Sequence, residues 1–433
     1  MFGLFTSQEK RMRVSAAHWL ELADKIFNYR RDELSTAESA ELGKCTEDLR
    51  LKLSQRAEAE KLKLSVEALE PVLRRTGGKI YPKSELTEWV EFFLVAGIVL
   101  LGFRAYFVTN FQIPTNSMWP SYYGMTGEVY QTPQENPGFL KKTMRFLTFG
   151  AVHHEAIAPQ SGEVAMNFFY SSRYNFTPLF TEKRSRKWLV IPTTVHEYTF
   201  YVNDTPVAVD VPEDFDLEFG KLMARVFFGG DNAAFERRLD DDVQGGRAEQ
   251  VVHQLSPGNA VRAWRINLGK TVRAGESVMS FDVLAGDMLF VDRFSYHFVR
   301  PKVGSGFVFR TDDIPRIPEK ERGSYFIKRL VGVPGDTLEI RQPVLYRNGR
   351  PIEGAASFQK EAQQIDSYPG YYNAESLSAG QSMTVPPGYY LALGDNSPES
   401  LDGRFWGYVP AGAVVGRPLF IYYPLTRRWG PAH

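Results

Sequence analysis

The sequence predicts a mainly β protein with a helical region at its N-terminal end, one membrane-spanning helix and a β-rich body. Three observations predict it. Apolar residues before Gly77-Gly78 recur at three-four spacing, the period of a helix. A stretch of mainly apolar residues follows, and a spanning helix needs about 20 of these. After it come many short apolar or alternating segments bounded by Gly or Pro, the pattern of strands and turns.

The helical region precedes the apolar stretch. Trp19, Leu22, Ile26 and Tyr29 form one apolar stripe. Ser35 with Glu38 fits a capping box for a second helix, which carries Leu42, Leu49 and Leu53 among many charges. Gly77-Gly78 ends the region, which reads as a helical hairpin or short coiled coil. The first residues, "MFGLFTSQEKRMRV", lack the long apolar core of a cleavable signal peptide.

Next comes "WVEFFLVAGIVLLGFRAYFV", Trp89 to Val108. Its uncharged part is Phe92 to Phe103, with Glu91 and Arg104 near the two ends, where charges can reach the interface. Trp89 and Tyr106 suit the headgroup layers. The competing reading is a buried core helix; a span is favoured because nothing else in the chain could anchor it. Arg74, Arg75, Lys79 and Lys83 precede the span, and beyond Arg104 no Lys or Arg appears until Lys141. The positive-inside rule then puts the N-terminus in the cytoplasm and everything after Val108 outside.

The rest is β-rich. "HEYTFYVNDTPVAVDV" has two alternating runs around Asn203-Asp204, a hairpin, and Asp214 to Phe228 reads as an amphipathic helix. "GDMLFVDRF", "GSGFVFR", "YFIKRLVGVPGDTLEIR", "GYYLALGD" and "GRPLFIYYP" read as strands. Among 433 residues the 51 basic and 51 acidic side chains cancel, which argues against a general nucleic-acid binder. Cys45 is the only cysteine, so neither an intramolecular disulfide nor a cysteine zinc cluster can form.

Several familiar sites are absent. Gly269-Lys270-Thr271 is not a phosphate loop, since Trp264 stands where that motif needs its first Gly. His153, His154 and Glu155 are adjacent, but no HExxH pattern exists, and a solvated loop is expected there. No Gly-x-Ser-x-Gly elbow appears. What remains is "FQIPTNSMWP", which sets Ser117 between Pro114 and Pro120, nine positions after Val108. At about 3.3 Å per residue Ser117 lies within roughly 30 Å of the membrane surface. A serine nucleophile needs a base, and a lysine can serve if an apolar setting keeps it neutral. Lys328 shares a strand face with Phe326 and Leu330, although an edge-strand lysine pointing to water is the other reading of that segment. "GDNSPESLDGRFWGYVP" is dense in turn residues and holds Ser400, Asp402 and Arg404, the last two able to pair and stiffen a loop.

Together these ordered segments resemble signal peptidase I, the membrane-bound bacterial serine-lysine endopeptidase. "FQIPTNSMWP" is similar to the family's nucleophile segment, "YFIKRLVGVPGDTLEI" to its lysine segment, and "GDNSPESLDGRFWGYVP" to its third conserved box. "GDMLFVDRFSYHFVRPKVGSGFVF" is similar to the strand pair between nucleophile and lysine. The resemblance covers Glu88 to Tyr123 and Leu284 to Pro424. It implies Ser117 as nucleophile, Lys328 as general base, and Ser400 bonded to the lysine amine. Asp402 and Arg404 would support that loop, and the Ser117 backbone N–H with the Thr115 hydroxyl would form an oxyanion hole. It implies no cofactor and no metal. It implies secretory preproteins and membrane lipid as partners, no nucleic acid, and a place in the inner (plasma) membrane. The expected organisation is a cytoplasmic helical region at 1–83, a span at 88–108, a peptidase domain of signal-peptidase type β-fold at 109–123 and 284–425, and a β-rich inserted domain with helix of its own at 124–283.

Departures exist. Ser121-Tyr122 replaces the usual Thr-Leu, Gly403 stands where serine is common, and "KVGSGFVF" lacks the usual acidic residue. Two other functions remain open. One is a catalytically inactive envelope protein whose inserted region, with "LGKTVRAGESVMSFDV" resembling a small barrel-sandwich module, binds a partner. The other is a self-cleaving serine-lysine regulator, which the span and the lack of a DNA-reading module disfavour.

Overall fold

The computed structural model describes residues 8–171, 175–187, 191–256 and 258–432, and the chain divides into two compact units, Met1–Gly102 and Phe103–His433.

In the first unit three helices, Gln8–Arg30, Thr36–Ser54 and Ala59–Thr76, share one core. The hairpin expected from sequence gains a third helix because Leu62, Val66, Leu69 and Leu73 give Ala59–Thr76 an apolar face of its own. The capping box forms. The Glu38 N–H donates to Ser35 Oγ at 3.3 Å, and the Ser35 N–H donates to the Glu38 carboxylate at 3.0 Å. Ile26 is buried but Tyr29 is exposed. The small Ala16 and Ala23 turn the buried face of the first helix away from it. The helix Glu85–Tyr106 has no buried side chain and is long and apolar enough to cross a membrane.

The second unit is built on an eight-stranded antiparallel sheet. Its order is Val108–Gln112, Met288–Asp292, Val414–Tyr423, Gly306–Arg310, Tyr325–Gly332, Tyr389–Leu393, Val409–Pro410, with Gly430–Pro431 beside Val414–Tyr423. Met288–Asp292 and Gly306–Arg310, read from sequence as a strand pair, are not neighbours, because Val414–Tyr423 lies between them. A four-stranded sheet around Thr337–Arg341 has its own core of Leu338, Ile340, Leu345 and Leu391.

The chain between Tyr123 and Leu284 forms a seven-stranded and a three-stranded sheet with helices Phe139–Phe149, Asp216–Phe228 and Asn232–Gln244. One core runs through it, including Met166, Phe168, Phe200, Phe219, Leu222 and Phe281. Its ends meet: the Asp287 N–H donates to the Tyr123 carbonyl at 2.8 Å, and the Tyr123 N–H donates to the Asp287 carboxylate at 2.9 Å. Gly286 is required there, since a Cβ would lie 1.8 Å from the Ile113 carbonyl oxygen.

The expected hairpin is Ile191–Val202 with Thr205–Pro212. Asn203 and Asp204 both have positive φ, 43° and 66°, as a tight two-residue turn requires. The expected helix begins as a 3-10 turn, Glu213–Phe215, and continues as Asp216–Phe228. Of the aromatics singled out in this region, Phe168 fills the core and Phe169 and Tyr170 are exposed, while Trp188 lies outside the described residues. His153 to Glu155 lie on the strand Val152–Ile157, not a solvated loop, because Asp282 on the neighbouring strand binds His153 Nδ1 at 2.8 Å. Strands Asn259–Val272 and Ser277–Leu284, the ends of the supposed barrel-sandwich motif, pair with different sheets.

Candidate active site

Ser117 is held by its neighbours. Thr115 is extended, Asn116–Met118 makes one 3-10 turn, and Ile113 and Met118 are buried with Leu289 and Val291. The Asn116 side chain accepts from the Gly124 N–H at 2.9 Å and donates to the Met125 carbonyl at 3.0 Å. Two apolar anchors and one amide therefore fix the turn and leave Ser117 on the wall of a cleft of about 460 Å³.

Lys328 sits on Tyr325–Gly332, 3% exposed, and its Nζ hydrogen-bonds Ser117 Oγ. An edge lysine pointing to water is ruled out by that burial. Burial lowers the amine from 10.5 to about 8, with Asp402 pulling it back up and Arg404 adding to the fall. Such an amine is neutral over much of the mildly alkaline range and can take the serine proton.

The loop after Tyr389–Leu393 closes the site from below. Asp402 and Arg404 form a buried two-bond ion pair, Nε to Oδ1 at 2.8 Å and Nη2 to Oδ2 at 2.9 Å. Arg404 also donates to Ser397 Oγ at 2.8 Å and to the Ser397 carbonyl at 2.6 Å, and Asp402 accepts from the Gly394 N–H at 3.0 Å. The Asn396 N–H donates to the Ser117 carbonyl at 3.1 Å, and its side chain donates to the Asn116 carbonyl at 3.0 Å. Ser400 departs from the expectation. Its Oγ is buried without a hydrogen-bond partner, so the expected bond to the lysine amine is not formed. The hydroxyl is instead packed against Gly394, where a Cβ would lie 2.1 Å from it. Thr115 is exposed on the cleft wall, two residues before Ser117.

Sequence reasoning missed three partners. Arg329, next to Lys328, makes a buried pair with Asp395, Nε to Oδ1 at 2.7 Å and Nη2 to Oδ2 at 2.6 Å, and Nη2 also donates to Ser121 Oγ at 3.0 Å. Asn116 reaches Glu218 at 3.0 Å. Lys221 Nζ bridges Glu218 at 2.9 Å and Glu399 at 2.8 Å. The helix Asp216–Phe228 is thus bonded to residues on both sides of the site, and its Leu217 and Glu218 line the cleft. Periodicity could have flagged Arg329, which alternates with Lys328 on an otherwise apolar strand.

The cleft has two open backbone edges. Tyr325–Lys328 pairs on one side with Phe307–Arg310, while pairing on the other side starts only at Arg329. Among the described residues Val108–Gln112 pairs only with Met288–Asp292. An extended peptide laid between them can be hydrogen-bonded through its main chain and presented to Ser117. Among the described residues no group of three or more His, Cys, Asp or Glu is arranged to hold a metal ion.

The site is thus an apolar cleft in a mainly β body, with a hydroxyl–amine pair on its wall. Residues 259–423 match the family model described as "Signal peptidase, peptidase S26", and that segment belongs to this family. Ser117 precedes the matched residues, and the match begins inside the region expected to be inserted. The chain is 32% identical over 145 residues to the probable signal peptidase I-1 of Synechocystis sp., covering 34% of this chain and 66% of that one. It is 33% identical over 141 residues to signal peptidase I of Leptolyngbya laminosa, covering 33% of this chain and 62% of that one. The chain thus spans less than two thirds of the length of these relatives. A solved signal peptidase I from Enterococcus faecalis shares 32% identity, covers 28% of this chain and 97% of its own, and superposes with a TM-score of 0.21.

Proposed function

We propose that this chain is a membrane-bound endopeptidase that removes signal peptides from secreted preproteins, with Ser117 as nucleophile and Lys328 as general base. The observation that carries the proposal is the contact between a buried, pKa-lowered Lys328 amine and the Ser117 hydroxyl at the wall of a peptide-sized cleft. Ser117 Oγ attacks the scissile carbonyl, the bond to the leaving amine breaks, and Lys328 takes the hydroxyl proton and returns it to that amine. The Thr115 hydroxyl and the Ser117 N–H serve as oxyanion donors, each able to stabilise the tetrahedral state by about 3 kcal/mol. Asp402 and Arg404 hold the loop that clamps the Ser117 turn.

Glu85–Tyr106 is read as the single span, with the N-terminus cytoplasmic, the peptidase residues extracytoplasmic, and the inner membrane as the site of action. The substrate's signal helix lies in the bilayer, and a nucleophile a few residues beyond a span meets the cleavage site just outside it. Residues 124–283 are read as an inserted domain. The test is purified full-length protein in detergent with a preprotein, wild type against Ser117→Ala. Wild-type cleavage lost in the variant is expected; cleavage that survives the substitution overturns the proposal. Protease added to intact spheroplasts should degrade the region after Val108 and spare residues 1–88, and the reverse pattern overturns the orientation.

A further inference from the structure

The helix Phe139–Phe149, "FLKKTMRFLTF", is amphipathic but docked the wrong way round for a protein in water. A surface helix normally buries its apolar stripe and shows its charges to solvent. Here no residue of the helix is buried. Its polar side faces the protein: Arg145 Nε donates to the buried Asp282 at 2.7 Å, and its Nη2 reaches Glu128. Asp282 is held in turn by Tyr130 and His153, each at 2.8 Å. The C-terminal turn is fixed through its backbone, with the Leu425 N–H donating to the Thr148 carbonyl at 2.9 Å and the Tyr423 hydroxyl to the Phe146 carbonyl at 2.8 Å. The opposite face is left bare: Phe139 is 88% exposed, Leu140 74% and Leu147 60%, with Met144, Phe146 and the nearby Leu425 also exposed.

We propose that this face lies in a lipid surface, with Phe139, Leu140, Met144 and Leu147 in the acyl boundary and Lys141 and Lys142 on anionic headgroups. Charge selects lipid over a protein partner. The helix carries three cations and no acid, Arg145 is consumed by Asp282 and Glu128, and the two lysines are left beside the apolar face. That composition, a short helix with large apolar residues on one side and lysines next to them, is the chemistry of interfacial helices. The inference rests in part on the reading of Glu85–Tyr106 as a span, which puts a bilayer within reach of this chain.

The test uses the full chain with Cys45→Ser, reconstituted in vesicles of phosphatidylcholine with one part in five phosphatidylglycerol. A spin label is placed at Leu147→Cys, at Ile98→Cys in the span, or at the exposed Ala379→Cys, and its collisions with oxygen and with a water-soluble nickel chelate are compared. At Leu147 the ratio of oxygen to chelate access should be several-fold above that at Ala379. Adding Lys141→Glu and Lys142→Glu should lower it toward the Ala379 value. A Leu147 label as open to the chelate as Ala379 overturns the proposal, as does one immobilised and shielded from both quenchers, which would mean a protein covers the face. The Ile98 label reports the span separately, so its failure and that of the helix are told apart.

Discussion

Lys328 is under two opposed demands. A charged amine would be stable in water and useless as a base; a neutral one is reactive and exists only because the fold buries it. With the amine lowered to about 8, activity should rise with pH through that value and level off above it. Initial rates from pH 6 to 10 measure this, and a flat profile removes Lys328 from the role. Lys328→Arg should be inactive, because a guanidinium cannot take the proton. The stability cost of burying the amine should fall over the same rise in pH. The unfolded amine titrates near 10.5 and the folded one near 8. Below 8 folding therefore carries the whole cost of burying the group, and above 10.5 it carries none. Lys328→Met should be inactive yet more stable than wild type at pH 7 by on the order of 2–3 kcal/mol in urea unfolding, and the gain should shrink toward pH 10.5. The residues of this site were legible where the chemistry is local in sequence: a serine between prolines, a lysine on an apolar strand, an Asp-x-Arg turn. The pair Arg329–Asp395 was not: a charge on an apolar strand could have flagged Arg329, but its partner lies 66 positions away and nothing in the sequence points to it. The Ser400 hydroxyl was placed wrongly for a related reason, since its contact is with a glycine that offers no signal of its own.

At the scale of elements, the loop from Gly394 to Arg404 decides whether Ser117 and Lys328 stay aligned. A Cβ on Gly394 would lie 2.4 Å from the Ser117 carbonyl oxygen. Gly394→Ala should therefore displace the Ser117 turn and lower kcat by about a hundredfold or more, as a shift near 1 Å does. Arg404→Ala leaves Asp402 buried and unpaired and should cost about 3–5 kcal/mol, read as a lower urea midpoint with unchanged slope. The helix Asp216–Phe228 faces the cleft with Leu217. Leu217→Trp should narrow it and raise KM for precursors with bulky residues around the cut while leaving small ones unaffected; equal effects on both would deny the helix a part in selection. Elements of strong period were legible, the Ile191–Pro212 hairpin and this helix among them. The third N-terminal helix was passed over, and Phe139–Phe149 was too, because it is three turns long between Gly138 and Gly150 and turns its apolar side outward.

For the whole molecule, the question is how a region of some 160 residues can lie between Ser117 and Lys328 without parting them. Its two ends are bonded to each other through Tyr123 and Asp287, so the eight-stranded sheet continues past it as past a short loop. Replacing 124–283 with a short Gly-Ser loop should leave the rest folded, but it removes Glu218 and Lys221 from Asn116 and Glu399. The shortened enzyme should cut a changed set of precursors in detergent. Unchanged efficiency on every precursor would mean the region is a spacer.

The central position of Val414–Tyr423 sets a clock on the ribosome. Ser117 hangs from Val108–Gln112 and Met288–Asp292, Lys328 from Gly306–Arg310 and Tyr325–Gly332, and the two halves are joined in the sheet by this late strand. While the chain is being made, each half can fold on its own side, but the joint between them leaves the ribosome only after both. Until Val414–Tyr423 has paired on both sides, Ser117 and Lys328 hang from strands that are not joined in one sheet. The long separation in sequence that slows such a sheet also holds back the meeting of the two side chains until it is complete.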